Sequence, residues 1–253
     1  MPSITENISV KIADTPEELE AVFRLRYDVF ARELGADGPQ INHSKRLERD
    51  QFDEFSDHLI AIDNHTREVV GVYRLLRDEK ARHAGQFYSE NEYDLSVLKN
   101  SGRTLLELGR SCLRRDYRGG SVIFHLWQQI STYVEQYSID VLFGVASFSG
   151  TDVERLAEPL SLLNQSYLAP RELRVRTRSA VFQSMDLIDP SLINRQTAML
   201  QVPSLIKAYL RLGGRVGEGA FVDRTFNTTD VCCVLETKSL TFSQRKRYNH
   251  YGR

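Results

Sequence analysis

One segment, TLLELGRSCLRRDYRGGSVIFHLWQQISTYVEQYSIDVLFGVASF (residues 104–148), constrains the fold of this chain more than any other. An apolar run at 104–113 ends in a turn rich in arginine and glycine. Residues 121–137 then place apolar side chains at helical spacing, and 139–148 form a second, almost continuous apolar run of strand length. Strand, turn, amphipathic helix and buried strand in this order predict a domain of the α/β or α+β class. The second run has the composition of a strand covered on both faces.

The remaining chain fits around this unit. ISVKIAD (8–14) alternates as a strand does. Thr15, Pro16 and Glu18 form a helix start, and Leu19, Val22, Phe23, Tyr27, Phe30 and Leu34 follow at helical spacing up to Gly35. Residues 36–57 are charged and lack a long apolar run, so they read as a long loop. HLIAID and EVVGVYRLL flank Asn64–Arg67 as a hairpin. Residues 78–103 read as a second long connection, with Phe87 and Tyr88 expected over the core edge. Beyond the central unit, a helix is expected over 152–168, disturbed at Pro159, with short strands at LRVRT and VFQSM. A helix over 203–213 and a closing strand over 230–236 complete the pattern. The expected organisation is a single domain over 1–244, with a front half (8–150), a C-terminal half (151–244) and a basic tail (245–253).

Composition narrows the function classes. With 253 residues and a net charge of −1, the chain shows no overall attraction for nucleic acid. Its three cysteines, two of them adjacent, do not form a secreted disulfide framework. Cysteine and histidine show no metal-ligand spacing, so no metal is expected. The polar start and the absence of a membrane-length apolar run place the expectation in the cytoplasm. The tail SQRKRYNHYGR is either solvated or a contact for an acidic partner or an anionic membrane surface.

Charges in apolar surroundings mark the candidate site. Glu107 and Arg110 interrupt the strand at 104–113, and strict alternation would put them on opposite faces. Gly109 between them marks a candidate bulge that would turn both to one cleft; otherwise they form a structural ion pair. Arg26 lies on the apolar face of the first helix, either snorkelling to solvent or aimed into a polar cleft. Arg74 sits likewise within a strand. Asp50, Asp53 and Asp57 fall in the loop after the first helix, as a solvated surface or as a patch for a cationic substrate. In the turn, Gly119 and Gly120 free backbone N–H groups at a helix start, and Arg115 and Arg118 add positive charge, a pattern suited to an anion.

Read in order, RLRYDVF (24–30), RDQFDEFSDHLIA (49–61), GVYRLLR (71–77), FYSE (87–90) and ELGRSCLRRDYRGG (107–120) resemble the acyl-homoserine-lactone synthases, relatives of the GCN5-type N-acetyltransferases. With PSLIKAYLRLGGRVGEGAFVDRTFNTTDVCCVLE (203–236), the resemblance extends to the ornithine lipid N-acyltransferases and covers about 8–237. It implies a mixed central sheet flanked by helices. It also implies transfer of a 3-hydroxyacyl group from acyl carrier protein to the α-amino group of L-ornithine, giving lyso-ornithine lipid. On that reading Glu107 is the base, acting directly or through water, with Arg110 beside it. Arg115, Arg118, Gly119, Gly120 and Ser121 hold the pantetheine phosphate. Asp50 and Asp53 hold the acceptor's side-chain ammonium, and Arg26 and Arg74 support the cleft or bind its carboxylate. The donor is the acyl-phosphopantetheine of acyl carrier protein, with no separate cofactor. A lipid product implies peripheral contact with the inner membrane, helped by Arg245, Lys246 and Arg247.

Against the superfamily's phosphate motif, Arg/Gln-x-x-Gly-x-Gly/Ala, the chain has Ser121 and Ile123 where glycine and glycine or alanine belong. That departure favours a single phosphodiester on a carrier protein over the pyrophosphate of coenzyme A. The alternatives are an N-acyltransferase with another amine acceptor, such as a homoserine-lactone signal synthase, and a non-catalytic acyl-carrier-binding protein.

Overall fold

The computed structural model describes residues 7–239, and the basic tail with its expected membrane contact lies outside the described residues. In chain order the main elements are β1 (Ile8–Ile12), α1 (Pro16–Arg26), β2 (Ile41–Asn42), β3 (Leu47–Glu48), β4 (Asp57–Asp63), β5 (Val69–Arg77), α2 (Asp78–Ala84), β6 (Tyr93–Asp94), α3 (Ser96–Lys99), β7 (Leu105–Leu113), α4 (Val122–Gln136), β8 (Val141–Ser149), α5 (Ala157–Tyr167), β9 (Arg176–Thr177), α6 (Arg195–Gln201), α7 (Ser204–Arg211), β10 (Arg215–Val216), β11 (Phe221–Asp223) and β12 (Thr228–Glu236). They fall into two compact units: 7–86 with 106–138, and 87–105 with 139–239.

The first unit carries an antiparallel sheet in the order β1-β4-β5-β7. Helix α1 starts where the sequence places it. The Thr15 side chain accepts from the Glu18 N–H at 3.2 Å, Pro16 occupies the first turn, and Glu18 reaches back to the Asp14 N–H at 3.0 Å. Beyond Arg26 the helix widens into π-helical turns over Tyr27–Glu33, a rare geometry that is frequent near functional sites. Val22, Phe23, Leu25 and Val29 pack on Ile60, Val72 and Cys112 of the sheet. Each such buried side chain contributes roughly 1.5–3 kcal/mol relative to exposure.

Helix α4 covers strands of the same sheet with Val122, Leu126, Trp127, Ile130 and Tyr133 buried. Gly71 of β5 allows its close approach: a Cβ there would lie 2.6 Å from Leu113 Cδ2 and 3.2 Å from Val122 Cγ1. The loop after α1 remains mostly irregular, although β2 and β3 pair as a two-stranded ribbon within it. That ribbon was not expected, because two-residue strands carry no periodic signal.

In the second unit β8 pairs along its whole length with β12, from Ser149 opposite Thr228 to Val141 opposite Glu236. Strand β8, assigned to the front half on sequence, thus finds its partner near the end of the described chain. Strands β10 and β11 pair with the same β12. Pro159 does not disturb α5, because it lies in the first turn, where N–H groups have no helical acceptor anyway. Further expectations need correction. The stretch 78–103 is not a plain connection; it contains α2, β6 and α3. Helix α6 was also missed, its short cap-driven start at Asn194 lying in a polar stretch. The segment around VFQSM makes only a single bridge, Gln183 to Ala220. Phe87 is buried against Phe143, their ring centroids 5.0 Å apart.

Candidate functional site

The site is built on an interruption of the β5–β7 ladder. Arg74 lies opposite Gly109 and Val72 opposite Cys112, so Arg110 and Ser111 together face Tyr73 alone. This is a β-bulge with one extra residue on β7. The bulge follows Gly109 as expected, but Gly109 is not the residue in the left-handed region. Arg110 is, at φ 50°. Such a conformation in a non-glycine residue is costly and persists only when its surroundings hold it.

The bulge decides which way the charges face. Glu107 lies opposite Leu76, two residues from the Arg74–Gly109 pair, and so shares the sheet face of Arg74. A Cβ on Gly109 would lie 3.7 Å from Arg74 Nε, which places that guanidinium beside the strand. Arg110 bonds Asp50 from the same side, because Arg74 binds the same carboxylate. The extra residue thus brings Glu107 and Arg110 to one face, where strict alternation would separate them. Glu107 is buried there, 4% exposed.

Arg110 is held by an ionic network. Its Nε donates to Glu48 Oε1 at 3.0 Å and its Nη2 to Asp50 Oδ2 at 2.9 Å. Arg74 Nη1 donates to Asp50 Oδ1 at 2.6 Å and to Asp53 Oδ1 at 3.2 Å. Arg26 grips Asp53 with Nη1 at 2.6 Å and Nη2 at 3.1 Å, and its Nε donates to Glu48. In these contacts three guanidinium groups face three carboxylates. Such burial is tolerated only with charges paired and lone pairs satisfied.

Burial opposes ionisation of Asp53, but Arg26 and Arg74 outweigh it and hold the carboxyl well below the usual carboxylate range. Asp50 is lowered likewise, against burial, by Arg74 and Arg110. His58 closes one side of the network. Its Nε2 lies 3.3 Å from the Asp53 carbonyl oxygen, and burial lowers its pKa to about 4.

These contacts revise the expected roles. Arg26 does not snorkel: its side chain is 0% exposed and faces Glu48 and Asp53. The Asp53 side chain is also 0% exposed, so neither residue is open to an acceptor molecule. Asp50 (13%) and Arg74 (2%) are engaged with each other. The four residues expected at the acceptor are brought together as the frame behind Arg110. Sequence reasoning missed Glu48 and His58. Glu48 sits in a charged loop and gave no signal; His58 opens a strand and reads as an ordinary polar residue. An open groove of about 940 Å³ lies beside α1, lined by residues that include Phe23, Arg49, Asp53 and His58 but not Glu107 or Arg110.

The turn at the end of β7 opens α4. Gly119 takes φ 77°, a conformation suited to glycine. Ser121 precedes the helix, yet its Oγ makes no capping bond and is buried without a hydrogen-bond partner among the described residues. An unmet buried hydroxyl costs about 1–3 kcal/mol. Arg115 is exposed. Arg118 turns back, donating from Nε and Nη2 to the Leu113 carbonyl at 3.0 and 2.9 Å and pairing with Glu33 at 2.8 Å. The first N–H groups of α4 have no acceptor within the helix, and its dipole favours an anion there.

Residues 25–128, which contain the bulged strand and the turn, match the acetyltransferase (GNAT) domain model. The L-ornithine N(alpha)-acyltransferase of Rhodobacter capsulatus is 50% identical over 244 residues, covering 94% of this chain and 93% of that protein. The chain belongs to the L-ornithine N(alpha)-acyltransferase family. The family member from Brucella abortus is 38% identical, over 97% of this chain and 89% of its own length. Among solved structures, an N-acyl amino acid synthase from uncultured soil microbes superposes with a TM-score of 0.56 at 13% identity, covering 94% of this chain and 97% of that one. A CoA-dependent acyl-homoserine lactone synthase gives 0.54 at 15% identity, covering 96% and 89%. These two likenesses establish the fold, a GNAT-like acyltransferase architecture.

Proposed function

We propose that the protein transfers a 3-hydroxyacyl group from acyl carrier protein to the α-amino group of L-ornithine, forming lyso-ornithine lipid. The observation that carries this reading is the bulged β7. It turns Glu107 and Arg110 to one face, within a fold whose relatives over nearly the whole chain are named for N-acylation of ornithine. The thioester donor is already activated. What remains is to position an amine, remove its proton and stabilise the oxyanion.

Each part of the site has a role in this scheme. Glu107, buried on β7, takes a proton from the α-ammonium, directly or through a water, so that the neutral amine attacks the thioester carbon; the C–S bond then breaks and the carrier's pantetheine sulfur leaves as the thiol, taking up the second proton lost by the nitrogen. At the bulge the ladder is interrupted, so the backbone of β7 is presented to the thioester carbonyl rather than to β5. The turn from Arg115 through Ser121 receives the pantetheine phosphate, with the Ser121 hydroxyl and the first N–H groups of α4 donating to it. Arg118 swings from the Leu113 carbonyl to the phosphate, a small motion for an exposed side chain. Arg26, Arg74, Asp50 and Asp53 act as positioning residues. They hold Arg110 in its left-handed conformation and so set the bulge.

The test uses purified protein, 3-hydroxyacyl-acyl carrier protein and a panel of amines. Acylation of L-ornithine, read by mass spectrometry of the lipid product, is expected. Acylation of glycine, lysine or homoserine lactone with none on ornithine overturns the acceptor. Acylation from acyl-CoA but not from the carrier protein overturns the donor. No acylation of any amine leaves a carrier-binding protein.

A further inference from the structure

The second unit contains a buried acidic cluster that acyl transfer does not use. Glu92, Asp223 and Asp230 are 2%, 7% and 4% exposed. Each offers a carboxylate oxygen, and these oxygens all lie within 4.8 Å of one another. The three residues come from separate places in the chain. Glu92 ends the 3₁₀ turn Tyr88–Asn91, Asp223 closes β11, and Asp230 lies on β12.

A fourth oxygen-bearing side chain lies on the same sheet face. In the β11–β12 register, Thr228 stands directly opposite Asp223, and Phe221 opposite Asp230. Cross-strand partners share a sheet face, as do residues two apart on one strand. Thr228 therefore projects to the side of both Asp223 and Asp230. It is 7% exposed, and its Oγ1 has no hydrogen-bond partner among the described residues. Asp223 uses Oδ1 to accept the N–H groups of Thr225 and Phe226, at 2.7 and 3.0 Å, and among the described residues it is in no ion pair. The nearby Tyr93 hydroxyl shares its one proton between the backbone oxygens of Gly219 and Asp230, at 3.1 and 3.0 Å.

We propose that Glu92, Asp223, Asp230 and the Thr228 hydroxyl form a binding site for one hard divalent cation of the Mg²⁺ or Ca²⁺ class. Three carboxylates brought this close in a region shielded from water repel one another, and a divalent ion removes most of that charge. All four donors are oxygens, the set that Mg²⁺ and Ca²⁺ prefer; thiolate and imidazole donors, which suit zinc and copper, are absent from the set. Oxygens grouped within 4.8 Å leave space for an ion at the ~2.0–2.6 Å contact distances of these metals. The ion ties the β11–β12 hairpin to the turn that ends at Glu92. The site makes the second unit's stability depend on cations, and it does not rest on the acyl-transfer reading.

The experiment uses the full chain, stripped with EDTA and exchanged into metal-free buffer. Thermal unfolding is followed with added MgCl₂, CaCl₂, KCl or L-ornithine, and bound metal is counted by mass spectrometry after gel filtration. The expected result is about one divalent ion per chain and a midpoint raised by roughly 5–10 °C at a hundredfold excess over Kd. KCl and L-ornithine should give no comparable rise. Asp223→Asn should lose the shift, while Asp152→Asn, on an exposed loop, should keep it. If Asp223→Asn does not fold, Tb³⁺ luminescence on the wild-type chain, displaced by Ca²⁺, decides. No retained ion and no shift with either divalent salt would overturn the proposal. A shift with L-ornithine alone would overturn it too, because the cluster would then be an ammonium site.

Discussion

Replacing Asp53 by asparagine probes the frame behind the candidate site. The change keeps the shape and removes one charge. The Asp53 carboxylate accepts from Arg26 Nη1 and Nη2, from Arg74 Nη1, and from the Asp50 N–H at 2.8 Å. Arg26, 0% exposed, then keeps Glu48 but loses its second carboxylate partner and has no water to turn to. Two routes give the magnitude. Loss of one unit-charge attraction at about 4 Å with an effective dielectric of about 20 amounts to about 4 kcal/mol. Breaking a buried pair by removing one partner typically costs about 3–5 kcal/mol. Either figure is a large share of the roughly 5–15 kcal/mol that holds a domain folded. The assay is urea unfolding at neutral pH, followed by the fluorescence of Trp127, the only tryptophan of the chain, buried on α4 in the same unit. Glu20→Gln, which breaks the exposed Arg24 pair, serves as the surface control. The charge-balanced double variant Arg26→Gln/Asp53→Asn should recover part of the loss. A cost for Asp53→Asn below about 1 kcal/mol, the size of an exposed pair, would refute the buried-network account.

Four further outcomes are expected. Glu107→Gln should lower turnover by about 10²–10⁴-fold with little change in carrier affinity, and near-normal turnover would remove Glu107 as the base. Arg118→Ala should raise the KM for acyl carrier protein several-fold while sparing kcat; an unchanged KM would place the phosphate elsewhere. His58 makes stability pH-dependent. Its unfolded form binds a proton below about 6.5, whereas the buried native ring resists protonation down to about 4. Stability from this residue is therefore complete above pH 6.5 and falls by up to about 3 kcal/mol as pH drops to 4, and His58→Gln should flatten that slope in urea titrations. Burial pushes the Cys112 and Cys233 thiols up to about 12, so neither should react with a thiol reagent until unfolding; rapid labelling of the native chain would contradict their burial.

Much of this protein is legible before any fold is known, because some signals are local. The Thr15–Pro16–Glu18 start, the apolar stripe of α4 and the Gly119 turn follow from capping, helical period and glycine's freedom at positive φ. The presence of Glu107 and Arg110 inside an apolar strand marks the site for the same reason: an unpaired charge cannot be buried there. Which partners answer those charges is a matter of tertiary structure. Arg26 finds Glu48 and Asp53, more than twenty residues away along the chain, and Arg110 finds Glu48 and Asp50 more than fifty away. No periodicity reports such a meeting, so aspartates that read as an acceptor patch are found paired with buried arginines. The Glu92–Asp223–Asp230 cluster stayed hidden likewise, its members spread over three elements. The residue types in this sequence determine that a charged centre must sit inside an apolar sheet. Only the folded chain, with one extra residue at Arg110, decides which charges meet there and which way Glu107 faces.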